Sequence, residues 1–554
     1  MLDASTGAPL SYCHVFNPRT ADGTITNEDG VFQVGDILED DTLRFSFIGY
    51  SQQLISVARL KQDPNVRLKP QSITLEELFI YAEDDYLYTA VENCAKIMQQ
   101  QPLREAKAYY YVTTDIDGEP NELLESYYNA EVKGATVRNL KLKNGRAGLP
   151  LNGEKYFFNL QTSTGIMMLE TIGKTDQFPF TPMHYSSRKM KKMYELQRLP
   201  SLSDTNTLHI AFTPLQRLEK HFRGEMWIDK NSKMLQKLQL EIDDSEVHPF
   251  YSLGNKSRID NMSFDIVQTF RQDEKGAILD HIEFSYDLGL MHTLKDKSTT
   301  NWELHSSCLM HFFEYDTTFI LPYFQYDPGM DDYRRISFMP YDSLFWSTTQ
   351  GYEYSEDQAR RLRFFEQEGF LLNFESDIQL QGSDKPTPTL EKPNILWSDE
   401  DRIKFGMNRS SVAPARAEFL SDMVEVEVQI FLDANAYDDN WAYNSVTVLD
   451  SYRSYNYIGE SPERNCYANI YFDLCEIQRR KLLDELVSTT QTRESIDRIY
   501  NKHIKELSNI LDQYNEEVDL GMKVKEMKPW NELVKAALNI DNIELFGLST
   551  PTDR

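Results

Sequence analysis

From residue 106 to about residue 350 the chain repeats one pattern, an alternating apolar and polar run followed by a turn. Its clearest instance is SFDIVQTFRQDEKGAILDHIEFSYD, two alternating runs joined by DEKG. Successive side chains in a strand point to opposite faces, so each such run buries one face and needs a neighbour for its backbone N–H and C=O groups. A short bend ending in glycine returns the chain antiparallel. KAYYYVTTDI, EKYFFNLQT, GIMMLETI, TLHIAFTP, GEMWIDKNSKMLQKLQLEI and LHSSCLMHFFEY extend the series. Together they predict a large, curved, meandering antiparallel sheet.

A chain of 554 residues exceeds one core and predicts roughly three domains. The 58 Lys and Arg against 87 Asp and Glu leave a net charge of -29, which repels phosphate backbones and argues against nucleic acid as a partner. With 40% hydrophobic and 12% aromatic residues, that acidity belongs to a folded surface. No apolar run approaches the ~18 residues that span a bilayer, so no transmembrane segment is expected. The five cysteines lack CxxC spacing, and Cys466 and Cys475 would fall on opposite faces of one helix, which predicts free thiols.

Chemistry-bearing motifs are scarce. GxSxG, GxxxxGK[ST] and GxGxxG are absent, and Ser186 to Lys189 spell SxxK without supporting motifs. His281, His292, His305 and His311 have no acidic partner at ligand spacing, and are read as half-buried sheet residues. Asp327 to Asp332 and Asp433 to Asn440 are rich in oxygen but lack the glycine and closing glutamate of an EF-hand, and are read as solvated loops. No cofactor or metal is expected.

The first 70 residues are short alternating segments, CHVF, TIT, VFQV, DTLRFSF, QQLISVAR and NVRLK, with NEDG supplying a glycine for a tight turn. They predict a small antiparallel β-sandwich. Thr6 to Leu10, Gly23 to Phe32 and Leu43 to Tyr50 resemble the TGxPL, GTxTxxDGxF and FSxIGY motifs of the carboxypeptidase-regulatory-like sandwich found in Bacteroidota envelope proteins. The resemblance implies a non-catalytic module, and a further strand and signal peptide ahead of Met1. Leu75 to Leu78 resemble the segment that leads out of that sandwich. Beyond it, Leu87, Ala90, Val91, Cys94, Ile97 and Met98 recur at helical spacing, with Asp85 in capping range. Gly224 to Lys230 resemble, over one hairpin, the sheets of envelope lipoprotein carriers.

The Pro- and Thr-rich segment 383–394 marks a linker. After it, VEVEVQIFLDA predicts strands, and helices are expected near 466–489, 492–518 and 529–538. Ile470, Leu474, Ile477 and Leu482 give the first helix an apolar stripe opposite charged residues. The expected domains are a β-sandwich over 1–72, a connecting strand and helix over 73–104, a β-rich middle over 105–382, the linker, and an α+β domain over 395–554. The fold class is therefore multidomain and mainly β.

The last domain resembles a bacterial family of predicted secreted zinc-dependent proteases, a zincin-like fold. Leu396, Trp397, Ser398 and Asp399 match its opening, and Phe472, Asp473, Leu474, Glu476, Arg480, Lys481 and Leu482 match its HEQxHFDIxExxARKL helix. Tyr514, Glu517, Gly521 and Trp530 match its later blocks. The chemical positions differ. A zincin helix needs histidines four residues apart on one face and a glutamate beside the first; this chain has Tyr467, Tyr471 and Ala468, and the family's later histidine is Leu520. A neutral phenol is a poor zinc ligand and alanine is no base, so the site is read as degenerate, with Glu476 and Glu517 retained.

These resemblances imply a non-catalytic scaffold or interaction subunit of a periplasmic, outer-membrane-associated machine for β-barrel assembly, protein export or TonB-linked transport. Protein partners, a groove that still takes peptide segments, and a lipid anchor on an upstream segment belong to that expectation. The competing class is an active zinc-dependent peptidase or other envelope hydrolase.

Overall fold

A computed structural model describes the chain apart from residues 21, 36, 71–84, 151–160, 200–205, 252–256, 294–297, 328, 350–351, 375–393, 405–422, 438–439, 452, 489–490 and 550–554. The segment Leu75 to Leu78, most of EKYFFNLQT and nearly all of the 383–394 linker lie outside the described residues. The chain divides into two compact units, Met1–Phe319 with Ser343–Pro386, and Ile320–Asp342 with Thr387–Arg554. Segment 320–342, read from sequence as part of the β-rich middle, belongs to the second unit because Tyr323 exchanges backbone hydrogen bonds with Leu432.

The first unit opens with β1 (Leu2–Asp3), β2 (His14–Asn17), β3 (Asp22–Ile25), β4 (Thr42–Ser46), β5 (Gln53–Ser56), helix α1 (Val57–Gln62) and β6 (Arg67–Leu68). A four-stranded antiparallel sheet in the order β3-β2-β4-β5 faces a parallel β1-β6 pair over Cys13, Val15, Leu43, Phe45, Val57 and Leu68. VFQV forms no strand. Asn27 Oδ1 instead accepts from the Asp29 and Val31 amides at 3.0 and 2.8 Å and closes the bend locally. Gly30 holds φ at +72°, and a Cβ there would lie 2.4 Å from the Met1 carbonyl oxygen.

Helix α2 (Asp85–Gln99) buries Leu87, Val91, Cys94 and Met98 of the predicted stripe together with Ala95, while Ala90 and Ile97 are half-buried. There follow β7 (Leu103–Ile116), β8 (Glu119–Lys133), β9 (Thr136–Pro150), α3 (Thr162–Met168), α4 (Ser187–Met193), β10 (Tyr194–Leu199), β11 (Thr207–Pro214), β12 (Arg223–Asp229), β13 (Leu235–Ile242), β14 (Ser257–Asp273), β15 (Gly276–Thr293) and β16 (Thr299–Phe313). With β17 (Gly369–Leu372) they form one eleven-stranded sheet ordered β10-β11-β12-β13-β14-β15-β16-β7-β8-β9-β17. The DEKG bend is the β14–β15 hairpin, where Asp273 Oδ1 accepts from the Lys275 and Gly276 amides at 2.8 and 3.1 Å. GIMMLETI is not a strand: α3 occupies its first half, and a continuous apolar run carries no period to separate buried strand from buried helix.

Both faces of this sheet are covered, so β7 is buried without a break from Ala108 to Thr114. One face carries Phe264, Phe284 and Tyr286 in an aromatic layer with Phe178 and Phe250, and the Tyr286 hydroxyl meets Thr162 of α3 at 2.8 Å. Against the other face pack α6 (Ser343–Thr348) and the stretch before α7 (Glu356–Glu368). Phe345 and Trp346 lie 5.3 and 5.5 Å from the Tyr127 ring, and Tyr352 lies 5.3 Å from Tyr109.

The second unit begins with α5 (Asp332–Ser337), capped by Asp331, and resumes with β18 (Asn394–Leu396), β19 (Val424–Glu425), β20 (Val428–Tyr437), β21 (Asn440–Asp450) and β22 (Tyr455–Asn456). Of the stretch from Asp433 to Asn440, read as a solvated loop, Asp433 to Tyr437 and Asn440 instead belong to the β20–β21 ladder, and Asp433 is buried. Helices α8 (Pro462–Ser488), α9 (Arg493–Val518), α10 (Val524–Leu538) and α11 (Asn542–Leu545) complete the unit. Among the described residues no helix is long and apolar enough to cross a membrane.

Candidate functional site

Helix α8 carries the motif positions, and its setting differs from the amphipathic helix its sequence suggests. Cys466, Tyr467, Ala468, Asn469, Ile470, Phe472, Asp473, Leu474, Cys475, Glu476, Ile477 and Gln478 are all buried, so the turns after the first are enclosed on nearly every side. Helices α9 and α10 and strands β20 and β21 surround it. A helix in that position needs partners for its buried polar side chains, and Asn469, Asp473, Glu476 and Gln478 have them.

Asp473 is fully buried. Its carboxylate accepts from Trp397 Nε1 at 2.7 Å, from Arg402 at 2.9 Å on each oxygen, and from Asn542 Nδ2 at 2.7 Å. One turn earlier, the Asn469 side chain pairs with both the amide and the carbonyl of Ile403 at 2.9 Å. These bonds tie the segment after β18 and the last helix to the centre of α8.

Glu476 is turned to the other side. It accepts from the Thr447 hydroxyl at 2.8 Å, from Arg479 at 2.7 and 2.6 Å, and from Arg480 at 2.9 Å. Burial alone would raise its carboxyl, but the guanidiniums and the hydroxyl more than offset it, and the net position is below the ordinary range. A depressed carboxylate contributes stability that is present above its unfolded value of about 4.3 and lost as pH falls through the folded value. Acid titration of folding stability is therefore expected to show a steeper loss below about pH 4.5 in the native chain than in Glu476→Gln.

The two tyrosines four residues apart on α8 are part of a cluster of packed rings. Tyr467 stacks on Tyr514 with centroids 5.5 Å apart and planes 7° from parallel, and Tyr471 lies 6.3 and 6.4 Å from the two. The Tyr467 hydroxyl donates to Asn515 Oδ1 at 2.8 Å, and the Tyr514 hydroxyl donates to the Tyr467 carbonyl at 3.0 Å. Trp530 sets its ring edge-on against Tyr514 at 5.4 Å, and its Nε1 donates to Glu517 at 2.8 Å. Burial pushes the Tyr467 and Tyr471 phenols well above their ordinary range, so both stay neutral. Ala468 is fully buried and offers only a methyl group.

After α9 the backbone turns through three left-handed residues, Asp519, Leu520 and Gly521, at φ of +50°, +51° and +86°. Leu520 packs against the same core cluster as the rings. A Cβ on Gly521 would lie 2.9 Å from the Tyr467 Cβ and 3.0 Å from the Glu463 carbonyl oxygen. Gly521→Ala is expected to cost about 2–3 kcal/mol, from the left-handed penalty plus displacement of Tyr467, read as a shift in denaturation midpoint.

The structure thus brings Tyr467, Tyr471, Tyr514 and the 520–521 turn together, keeps Glu517 at the exposed rim on Trp530, and directs Glu476 away towards β21. Asn469, Arg402 and Asn542 were missed by sequence reasoning. Only a buried position reveals a need for such partners, and periodicity does not carry that signal. Glu425 of β19 acts electrostatically on both phenols and the half-buried Glu427, 3.2 Å from Arg453, on Tyr471, and desolvation raises both carboxyls. Among the described residues no group of three or more His, Cys, Asp or Glu is placed to hold a metal ion.

Residues 1–80 match the CarboxypepD_reg-like domain, so the chain carries that domain at its N-terminal end. No curated protein matches the chain. Among solved structures, a LolA superfamily protein from Nitrosomonas europaea is similar at 11% identity, covering 42% of this chain and 93% of that one at a TM-score of 0.17. The MucA/MucB complex of Pseudomonas aeruginosa is similar at 8% identity, over 42% and 94%, at a TM-score of 0.16. Scores this low carry no argument about fold or function.

Proposed function

We propose that the second unit is a pseudopeptidase, and that the chain serves as a non-catalytic scaffold or interaction subunit of a periplasmic, outer-membrane-associated machine in Bacteroidota. The carrying observation is the ring stack of Tyr467, Tyr471 and Tyr514, which fills the positions where a zincin would place its imidazoles. Two further features support the reading. The 520–521 turn comes back against α8 at Tyr467, where a third ligand would approach. Leu520 also has a left-handed backbone, in which histidine is found far more often than a branched aliphatic residue.

An N-terminal CarboxypepD_reg-like domain on a body without catalytic motifs fits a docking role. The choice of machine, for β-barrel assembly, protein export or TonB-linked transport, follows the company that domain keeps in envelope proteins. Isolation of the tagged chain from native membranes is expected to recover stoichiometric protein partners that withstand a chelator. Recovery of the chain alone, with protease activity in the eluate, would contradict the scaffold reading.

A further inference from the structure

The N-terminal domain meets the large sheet over a cluster of ionisable groups that the proposed function does not use. Strand β3 lies against β16, and the Tyr12 ring is 5.8 Å from His281. At the rim, Asn27 donates to the Glu353 carbonyl at 3.2 Å, and the Glu356 amide donates to Asp29 at 2.8 Å. His14 on β2, next to Val15 of the sandwich core and so on the opposite face of its strand, is only 8% exposed.

The charged and titratable groups whose fields reach His14 are Arg271 from β14, Asp280 from β15, His311 from β16 and Arg44 from β4. Arg271 pairs with Asp280. His281 is 2.8 Å from Asp280 and 3.6 Å from Glu283, and these carboxylates more than offset its burial, so it keeps its proton up to about 9. His311 Nδ1 bonds the Asp280 carbonyl at 3.1 Å, and its buried Nε2 has no partner. The charges of Arg271 and His281 are therefore already balanced by Asp280 and Glu283. A proton on His14 would be an uncompensated charge inside the junction.

We propose that this junction is an acid-released latch: the N-terminal domain stays docked on β14–β16 while His14 is neutral, and protonation of His14 frees it. Burial, followed by Arg271, pushes docked His14 down to about 3, and burial pushes His311 to about 4. A free imidazole takes its proton near 6.5, so docking is at full strength above that pH and weakens as pH falls below it. At pH 4.5 the docking equilibrium is expected to have fallen about 100-fold through His14 alone. His281 does not oppose this, because its carboxylate partners share its own sheet and it remains charged in both states across that range.

The test is hydrogen exchange of the full chain at pH 7.5 and 4.5, corrected for intrinsic rates. The Glu356 amide, which donates to Asp29 across the junction, is expected to lose protection about 100-fold at pH 4.5, while amides of β2, paired to β3 and β4 within the domain, and those of β14 and α8 hold. In His14→Gln and His14→Leu that pH-dependent loss is expected to shrink at least tenfold, whatever the docking strength at pH 7.5. Unchanged protection of the Glu356 amide at pH 4.5, loss of protection throughout the chain, or a loss in both variants equal to that of the native chain would each overturn the latch.

Discussion

Asp473→Ala is expected to cost about 3–5 kcal/mol, among the largest effects of any single substitution in the second unit. The carboxylate is fully buried and accepts from Trp397, Arg402 and Asn542. Its removal leaves the Arg402 guanidinium, itself only 11% exposed, without its counter-charge, together with two unsatisfied N–H donors. Asp473→Asn keeps the shape and loses the charge, so about half of that cost is expected. Exchange protection of the α8 amides reads the difference directly: the alanine variant should lose roughly 100- to 1,000-fold or more of it. A loss under tenfold would mean that this network is dispensable and that the motif residues on α8 do not hold the unit together.

Tyr514→Ala is expected to cost a comparable amount, about 3–5 kcal/mol, because a fully buried ring is removed from between Tyr467 and Trp530. The hydroxyl bond to the Tyr467 carbonyl is a small part of that, so Tyr514→Phe should cost only about 1 kcal/mol. Thermal or denaturant unfolding of the second unit separates the two variants. Equal effects would place the energy in the hydroxyl and undo the claim that ring packing fills this site.

Legibility in the sequence followed physical type. The sheet strands were readable because period-two alternation is a local consequence of having two faces, and β14, β15 and β16 sit where their patterns put them. The order of the sheet was not readable. β16 pairs with β7, nearly two hundred residues earlier in the chain, and nothing local encodes that closure. GIMMLETI was misread for want of a period, and VFQV because the Asn27 side chain supplies bonds that a strand partner would have supplied.

At the candidate site, Tyr467, Tyr471 and Leu520 could be named from spacing, because helix geometry fixes which residues share a face. The setting of α8 could not be. A helix with Asp473, Glu476 and Gln478 in its sequence reads as half-solvated, and only the positions of Arg402, Thr447 and His503 show that these groups are satisfied in the interior.

Under the proposed function, α8 keeps a metallopeptidase shape without its metal chemistry. Zinc content after equilibration with equimolar zinc and gel filtration tests it most directly, on the native chain beside a variant combining Tyr467→His, Ala468→Glu, Tyr471→His and Leu520→His. The native chain is expected to retain well under 0.1 zinc per molecule, and the variant, folded by circular dichroism, close to one. Stoichiometric zinc on the native chain that is lost in Tyr467→Phe or Tyr471→Phe, or a folded variant that binds none, would contradict it.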